Sequence, residues 1–304
     1  MRLEASIAAY LRQLVILGRA QTTIRATDYA LRALVRFLEG LGIVAVDGLN
    51  REAILLYQEE LAFRPASKGA PLTLRSQATL LVIVQGFCRY LHHEGYLASD
   101  PGAGLCLPKK PKRLPKVILE EAEVRLLLDA PDRQSNRGCR NRVILALLYD
   151  TGIRAAEMAA VQTRQLDLDG GYLHVVAGKG AKDRVVPVSS QVCRLIREYL
   201  LMVRPQMVAA EDDGHLVLNR FGRKMTPLAI WSVVKRCARL AGLEKNISTH
   251  TFRHSCATHM LRNGAPIRHI QELLGHESLD STQIYTKVTI NDLKAIHAKY
   301  HPGA

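Results

Sequence analysis

Apolar residues recur at intervals of three and four through about the first 100 positions, the spacing of one helical face. The pattern predicts helices over about Leu3–Leu17 and Thr23–Glu39, the second halting at Gly40 and Gly42. Asn50 suits the N-cap of a third helix, REAILLYQEEL, because its side-chain oxygen can accept from the free N–H groups of the first turn. A fourth runs from about Leu72 to Glu94 and ends at Gly95. No period-two alternation interrupts them, so this half reads as a small helical bundle.

The segment 107–116, LPKKPKRLPK, holds three prolines and five cations. Proline at that density prevents a regular helix and makes an extended linker. Lys109, Lys110, Lys112 and Arg113 either lie against phosphate or decorate a solvated hinge.

Beyond it, helices are predicted from about Leu119 and over about Asn141–Tyr149. The period then changes. YLHVV (172–176) and RVVPV (184–188) are short β-branched runs, and Gly178 and Gly180 turn the chain between them. This reads as a β-hairpin with Lys179 and Lys182 at its tip. HLVLN (215–219) reads as a further strand. The rest is helical, over about 190–203, 227–241, 250–262 and 266–274, with a final pair near 281–299. The expected class is mainly α with a small antiparallel β-sheet.

Composition narrows the partners. A chain of 304 residues suffices for two domains, here 1–106 and 117–304 joined by 107–116. Lys plus Arg number 42 against 28 Asp plus Glu, a net charge of +14 that favours a polyanion, nucleic acid first; the plain alternative is solubility. No uninterrupted apolar stretch suggests a membrane span, and the N-terminus does not pattern as a secretory signal. Six scattered Cys without a CxxC pair argue against a disulfide framework or a zinc site and point to a reducing cytoplasm.

The candidate chemistry lies in four short motifs. In STHTFRHS, Ser248 or Thr249 can cap a helix. His250 and Arg253, three apart, would share a face near its positive end, a natural anion site. The alternative is an ordinary charged surface helix. A zinc reading of its HxxxH lacks the glutamate of HExxH and an obvious third ligand. In LLGHESLDSTQIYT, Gly275 ends a helix, His276 follows, and Tyr285 comes nine residues later. A lone tyrosine on a helix is more often core or rim. In TGIRAAEM, Gly152 breaks a helix, Arg154 opens the next element and Glu157 lies one turn on. As a surface pair these two would contribute only about 0.3–0.5 kcal/mol. Lys179 in its glycine turn is, alone, an exposed turn residue.

Together and in this order, TGIRxxE, the GKG hairpin, HxxRH and LGHxxxxxTxxY resemble the tyrosine recombinases, or phage-type integrases, with the Xer-like branch most similar. The resemblance covers essentially the whole chain. It implies a helical, SAM-like core DNA-binding domain followed by an α+β catalytic domain, the two forming a C-shaped clamp on duplex DNA. It assigns Arg154, Lys179, His250, Arg253, His276 and Tyr285 as catalytic, Tyr285 as nucleophile and Glu157 as support. Ala155, Ala156 and Thr249 depart from what relatives often carry, without touching a reacting group.

The chemistry fits these residue types. Tyrosine, with a reference pKa of about 10, needs help to lose its proton, and His250 is the candidate acceptor. Arg154 and Arg253 can hold the extra charge of a phosphorane, and His276 adds a donor. Lys179 can protonate the 5′-oxygen that leaves. A 3′-phosphotyrosine link conserves the bond energy, so no ATP or other high-energy cofactor is expected, and no metal is expected because the arginines supply the charge it would otherwise bring. The resemblance further implies paired DNA sites, a Holliday junction, a homotetramer or a heterotetramer with a related recombinase, a tail (about 289–304) that docks into a neighbouring protomer, and a cytoplasmic, nucleoid-associated protein; the plain alternative for the tail is that it folds back on its own domain. The competing readings are a type IB topoisomerase-like relaxing enzyme and a catalytically silent DNA-binding protein.

Overall fold

The computed structural model describes residues 1–65, 69–109, 117–176, 183–209, 211–275 and 296–302. The chain divides into two compact units, Met1–Leu114 and Pro115–Ala304.

The first unit is built from α1 (Leu3–Ile16), α2 (Gln21–Gly40), α3 (Arg51–Phe63) and α4 (Leu74–His93). The expected Asn50 cap forms, and Thr73 adds an unexpected cap to the fourth helix. The Asn50 side chain accepts from Ala53 N at 2.9 Å, and Thr73 accepts from Ser76 N at 3.2 Å. Leu31, Leu34, Leu38, Ile54, Tyr57, Leu81, Phe87 and Leu91 are fully buried between the helices. They repeat at helical spacing, so burial of the apolar stripes holds the bundle together.

The second unit begins with α5 (Glu121–Asp129) and α6 (Asn136–Thr151). Helix α6 starts earlier than its apolar run, because Ser135 caps it by accepting from Gly138 N at 3.1 Å. Its second half is apolar nearly all round, with Val143 to Leu148 buried, and forms the centre of the unit. Gly152 closes it in the left-handed conformation, φ +62°. Short α7 (Ala155–Ala160) follows.

Strands β1 (Leu166–Asp167), β2 (Tyr172–Val175) and β3 (Arg184–Pro187) form an antiparallel sheet in that order. Leu173 lies opposite Val186, both with no exposure, which fixes the register of the hairpin. The hairpin is thus present as expected, with β1 added; at two residues, β1 carries no periodic signal. The tip, including Lys179 and Lys182, lies outside the described residues.

Helices α8 (Ser190–Glu198), α9 (Pro227–Leu240), α10 (Thr249–Arg262) and α11 (Ile267–Leu274) follow, and α8 runs on into a π-helical turn, Tyr199–Val203. HLVLN is not a strand. It makes only isolated bridges, Gln162 with His215 and Leu218 with Lys224. Leu216, Val217 and Leu218 are all fully buried, so this is a core-filling segment whose apolar run mimics a buried strand. All six cysteines are free thiols. Among the described residues no helix is long and apolar enough to cross a membrane.

Candidate active site

The second unit gathers three arginines around one carboxylate. Arg154 caps α7, and Glu157 reaches back from the first turn to accept from the Arg154 main-chain N–H at 2.7 Å. Arg154 Nη1 also donates to Glu157 Oε1 at 2.9 Å. Arg184, the first residue of β3, donates to both oxygens of the same carboxylate, Nη1 to Oε1 at 2.9 Å and Nη2 to Oε2 at 3.0 Å. Arg253, on α10, is buried and donates to the carbonyls of Gly152 at 2.8 Å and Leu274 at 2.5 Å.

The carbonyl end of α11 is their common abutment. Leu273 O accepts from Arg184 Nε at 3.1 Å, Leu274 O from Arg253, and Gly275 O from Arg154 Nη2 at 3.3 Å. A helix C-terminus leaves these carbonyls without intrahelical partners and carries partial negative charge, so cations collect there. Gly275 turns the chain left-handed at φ +62°, directing it onward to His276. Gly152 must also be glycine. A Cβ there would sit 2.6 Å from Leu274 Cδ2, and its carbonyl holds Arg253.

The electrostatics follow from burial and charge. Burial opposes ionisation of Glu157, but hydrogen bonds from Arg184 and Arg154, with the Arg184 charge, bring its pKa down to about 2. Burial, and then the nearby Arg154 and Arg184 charges, lower Arg253 to about 10. It is still cationic at neutral pH. Two guanidinium groups bond one carboxylate and a third, Arg253, lies near enough to feel its charge, so the cluster carries excess positive charge and is suited to an anion.

The structure thus joins Arg154, Glu157 and Arg253 and adds Arg184. The Arg154–Glu157 pair is part of this network rather than an isolated surface pair. His250 is exposed on the first turn of α10, whereas Arg253 one turn on points inward and is buried. Three residues apart on α10, the two differ in exposure. Lys109 is exposed in the first unit. Lys179, His276, Tyr285, Lys110, Lys112, Arg113 and Lys182 lie outside the described residues. Arg184 escaped the sequence analysis because it reads as the first position of a strand. Its one signal is a lone arginine opening an otherwise apolar run beside the loop that carries Lys179.

Residues 296–302 pack on their own unit. His297 Nε2 lies 2.6 Å from Asp150 O, His301 Nε2 lies 3.2 Å from Tyr149 O, and Asn263 donates to Tyr300 O at 2.9 Å. Burial pushes the His301 imidazole down to about 4, so it is neutral in this seat. Asp150, His297 and His301 bring possible ligand atoms within 4.8 Å of one another. The two rings are stacked at 4.6 Å and 9°, however, so their in-plane lone pairs do not converge on one point. Each Nε2 already faces a main-chain carbonyl, which marks a packing contact rather than a metal seat.

Comparison with known proteins gives the family. The model of the phage integrase family matches residues 118–291. The chain is 39% identical to tyrosine recombinase XerC 2 of Ralstonia nicotianae over 97% of this chain and 85% of that protein. It is 34% identical to tyrosine recombinase XerD of Staphylococcus haemolyticus over 99% and 100%. Among solved structures it resembles a lambda integrase (75–356) dimer bound to a COC′ core site, with TM-score 0.70 and 17% identity over 94% of this chain and 100% of that one. It also resembles XerH recombinase bound to difH substrate, at TM-score 0.66 and 20% identity over 91% and 79%. Both relatives are named for recombination, which does not favour the relaxing-enzyme and silent-binder readings. The chain belongs to the phage integrase family and is a site-specific DNA recombinase of the tyrosine type.

Proposed function

We propose that this recombinase cleaves one DNA strand with Tyr285, holds it as a 3′-phosphotyrosine, and rejoins it to a partner strand through a Holliday junction. The observation that supports the reading most is the cluster of Arg154, Arg184 and Arg253 around the single carboxylate of Glu157. Its surplus charge matches a phosphorane better than a ground-state phosphodiester, because the transition state carries more negative charge on its non-bridging oxygens. Arg154, the more exposed partner of Glu157 at 41% of its side chain, has donors left for a phosphate oxygen. Arg253 supplies a charge already held in place.

His250, exposed at the start of α10, receives the tyrosine proton; His276 adds a hydrogen bond to phosphate; Lys179 protonates the leaving 5′-oxygen. The reverse reaction uses the same groups with roles exchanged. The guanidinium groups carry the electrostatic load, so the reaction needs no metal. Lys109, Lys110, Lys112 and Arg113, with Lys182 on the hairpin, add phosphate contacts, and affinity falls with salt as counterions are released.

A solved neighbour supports the proposed partners. One solved neighbour is a lambda integrase tetramer bound to a Holliday junction, at TM-score 0.70 and 16% identity over 95% of this chain and 81% of that one. The present protein assembles likewise on paired double-stranded DNA sites, as a homotetramer or with a related recombinase, in the cytoplasm at the nucleoid. Its final residues leave the cis seat on Asp150 and dock into a neighbouring protomer. The domain plan is a core DNA-binding domain (1–106), a basic linker (107–116) and a catalytic domain (117–304).

Tyr285→Phe tests the central step. With a nicked suicide substrate, wild-type protein becomes covalently joined to DNA. The variant binds the same DNA and forms no adduct. An adduct in the variant would falsify the nucleophile assignment.

A further inference from the structure

Arg184 lies outside the motifs that mark the site, yet it bonds two separate parts of the site's framework. Its guanidinium grips both oxygens of Glu157 in a parallel, two-bond pairing, and its Nε donates to the Leu273 carbonyl at 3.1 Å. Its side chain is 12% exposed. The aliphatic end lies flat on Gly275, where a Cβ would come within 3.1 Å of Arg184 Cδ and 3.3 Å of its Nε. One side chain thus joins three elements. They are the strand leading out of the Lys179 loop, the N-terminus of α7 that presents Arg154, and the end of α11 that leads to His276.

We propose that Arg184 is a positioning residue for strand cleavage, acting through Glu157 on Arg154 and holding the end of α11 at Leu273 and Gly275. The inference rests on the reading of Arg154 as the arginine that holds the reacting phosphate. Arg184 is not assigned a contact with DNA. Three of its donors are spent on Glu157 and Leu273, and its work is to fix where Arg154 points. A guanidinium is required because its planar fork serves both carboxylate oxygens while Nε serves the carbonyl. A lysine has a single nitrogen and restores the charge without the fork. Glu157 transmits the constraint by its own two bonds to Arg154, one to the main chain and one to the side chain.

The test uses the full-length protein, a nicked suicide DNA substrate and three variants, Arg184→Gln, Arg184→Lys and Glu157→Gln. Arg184→Gln is expected to bind DNA as wild type does and to form the covalent adduct on the order of 10²-fold more slowly, the usual cost of a displaced catalytic group. Arg184→Lys recovers part of that loss. Because both act on Arg154, the double variant Arg184→Gln, Glu157→Gln is no slower than the worse single variant. The pH profile separates positioning from mere folding. Without Arg184, Glu157 protonates more readily, so the ratio of Arg184→Gln to wild-type rate falls further as pH drops from about 7 to about 5. Arg184→Lys flattens that fall. Cleavage by Arg184→Gln within about threefold of wild type overturns the inference, on the same tenfold-per-1.4 kcal/mol scale. So does a loss that is independent of pH, adds to that of Glu157→Gln and is not relieved by lysine. If wild-type protein forms no adduct on this substrate, the reading of the site falls, and this inference with it.

Discussion

Replacing Glu157 by glutamine removes the negative charge on which Arg154 and Arg184 converge while keeping the side chain's size. The structure sets the expected cost. The carboxyl, ordinarily near 4.5, is brought to about 2 in the folded protein. A depression of that size corresponds to about 3 kcal/mol of stability carried by the ionised form. Its side chain is only 11% exposed, so solvent screening reduces the figure little. The sign follows from the direction of the shift. Because the folded pKa lies below the unfolded one, the contribution is complete above about pH 4.5 and is lost as the pH falls towards about 2. At about pH 3.5 roughly 1.4 kcal/mol of it is gone, since the unfolded chain then binds nearly one proton more at this site.

The assay is denaturant unfolding of the full chain, followed by fluorescence of its one tryptophan, Trp231 on α9, which reports on the second unit. The difference between wild type and Glu157→Gln isolates this carboxyl from the others that titrate in the same range. Wild type is expected to exceed the variant by about 3 kcal/mol at neutral pH, and the gap should narrow by roughly 1.4 kcal/mol at about pH 3.5. A gap that is absent at neutral pH, or that does not narrow on acidification, would refute the electrostatic account of this cluster.

Other consequences can be checked directly. Gly152→Ala places a methyl group in the left-handed region and against Leu274; it should cost about 1–3 kcal/mol, seen in the same unfolding assay, and slow cleavage by shifting the carbonyl that holds Arg253. Lys179→Ala should cleave poorly on ordinary DNA and recover on a 5′-phosphorothiolate substrate, whose leaving group needs no acid; absence of recovery argues against the general-acid role. His301→Ala removes a ring packed at 4.7 Å on Tyr149 and stacked on His297, so limited trypsin digestion should cut at Lys299 sooner than in wild type. Cleavage by wild type should persist in EDTA, and its loss would place a metal ion in the reaction.

What the sequence disclosed and what it concealed divide along the range of the interactions. Helix ends set by a neighbouring residue were legible. Asn50 caps α3, and Gly152 and Gly275 end α6 and α11, because each acts on backbone within about one turn. The hairpin was legible because its register follows from alternation. The strand expected over 215–219 failed for the opposite reason, since a fully buried run has no polar face to show its period and the core decides its shape. The same distinction explains why the motif residues were found and Arg184 was not. Arg154 and Glu157 are three apart and announce themselves as one turn of a helix. Arg184 meets Glu157 across 27 positions and Leu273 across 89. No local pattern encodes those contacts; they exist only once β3 and the end of α11 have been brought to the same carboxylate. The separation of His250 from Arg253 has the same origin. Helical spacing places them one turn apart, but the Gly152 and Leu274 carbonyls draw Arg253 inward and leave His250 at the surface. In the proposed mechanism the two residues take different tasks, Arg253 as a buried fixed charge beside the phosphate and His250 as an accessible imidazole that exchanges a proton.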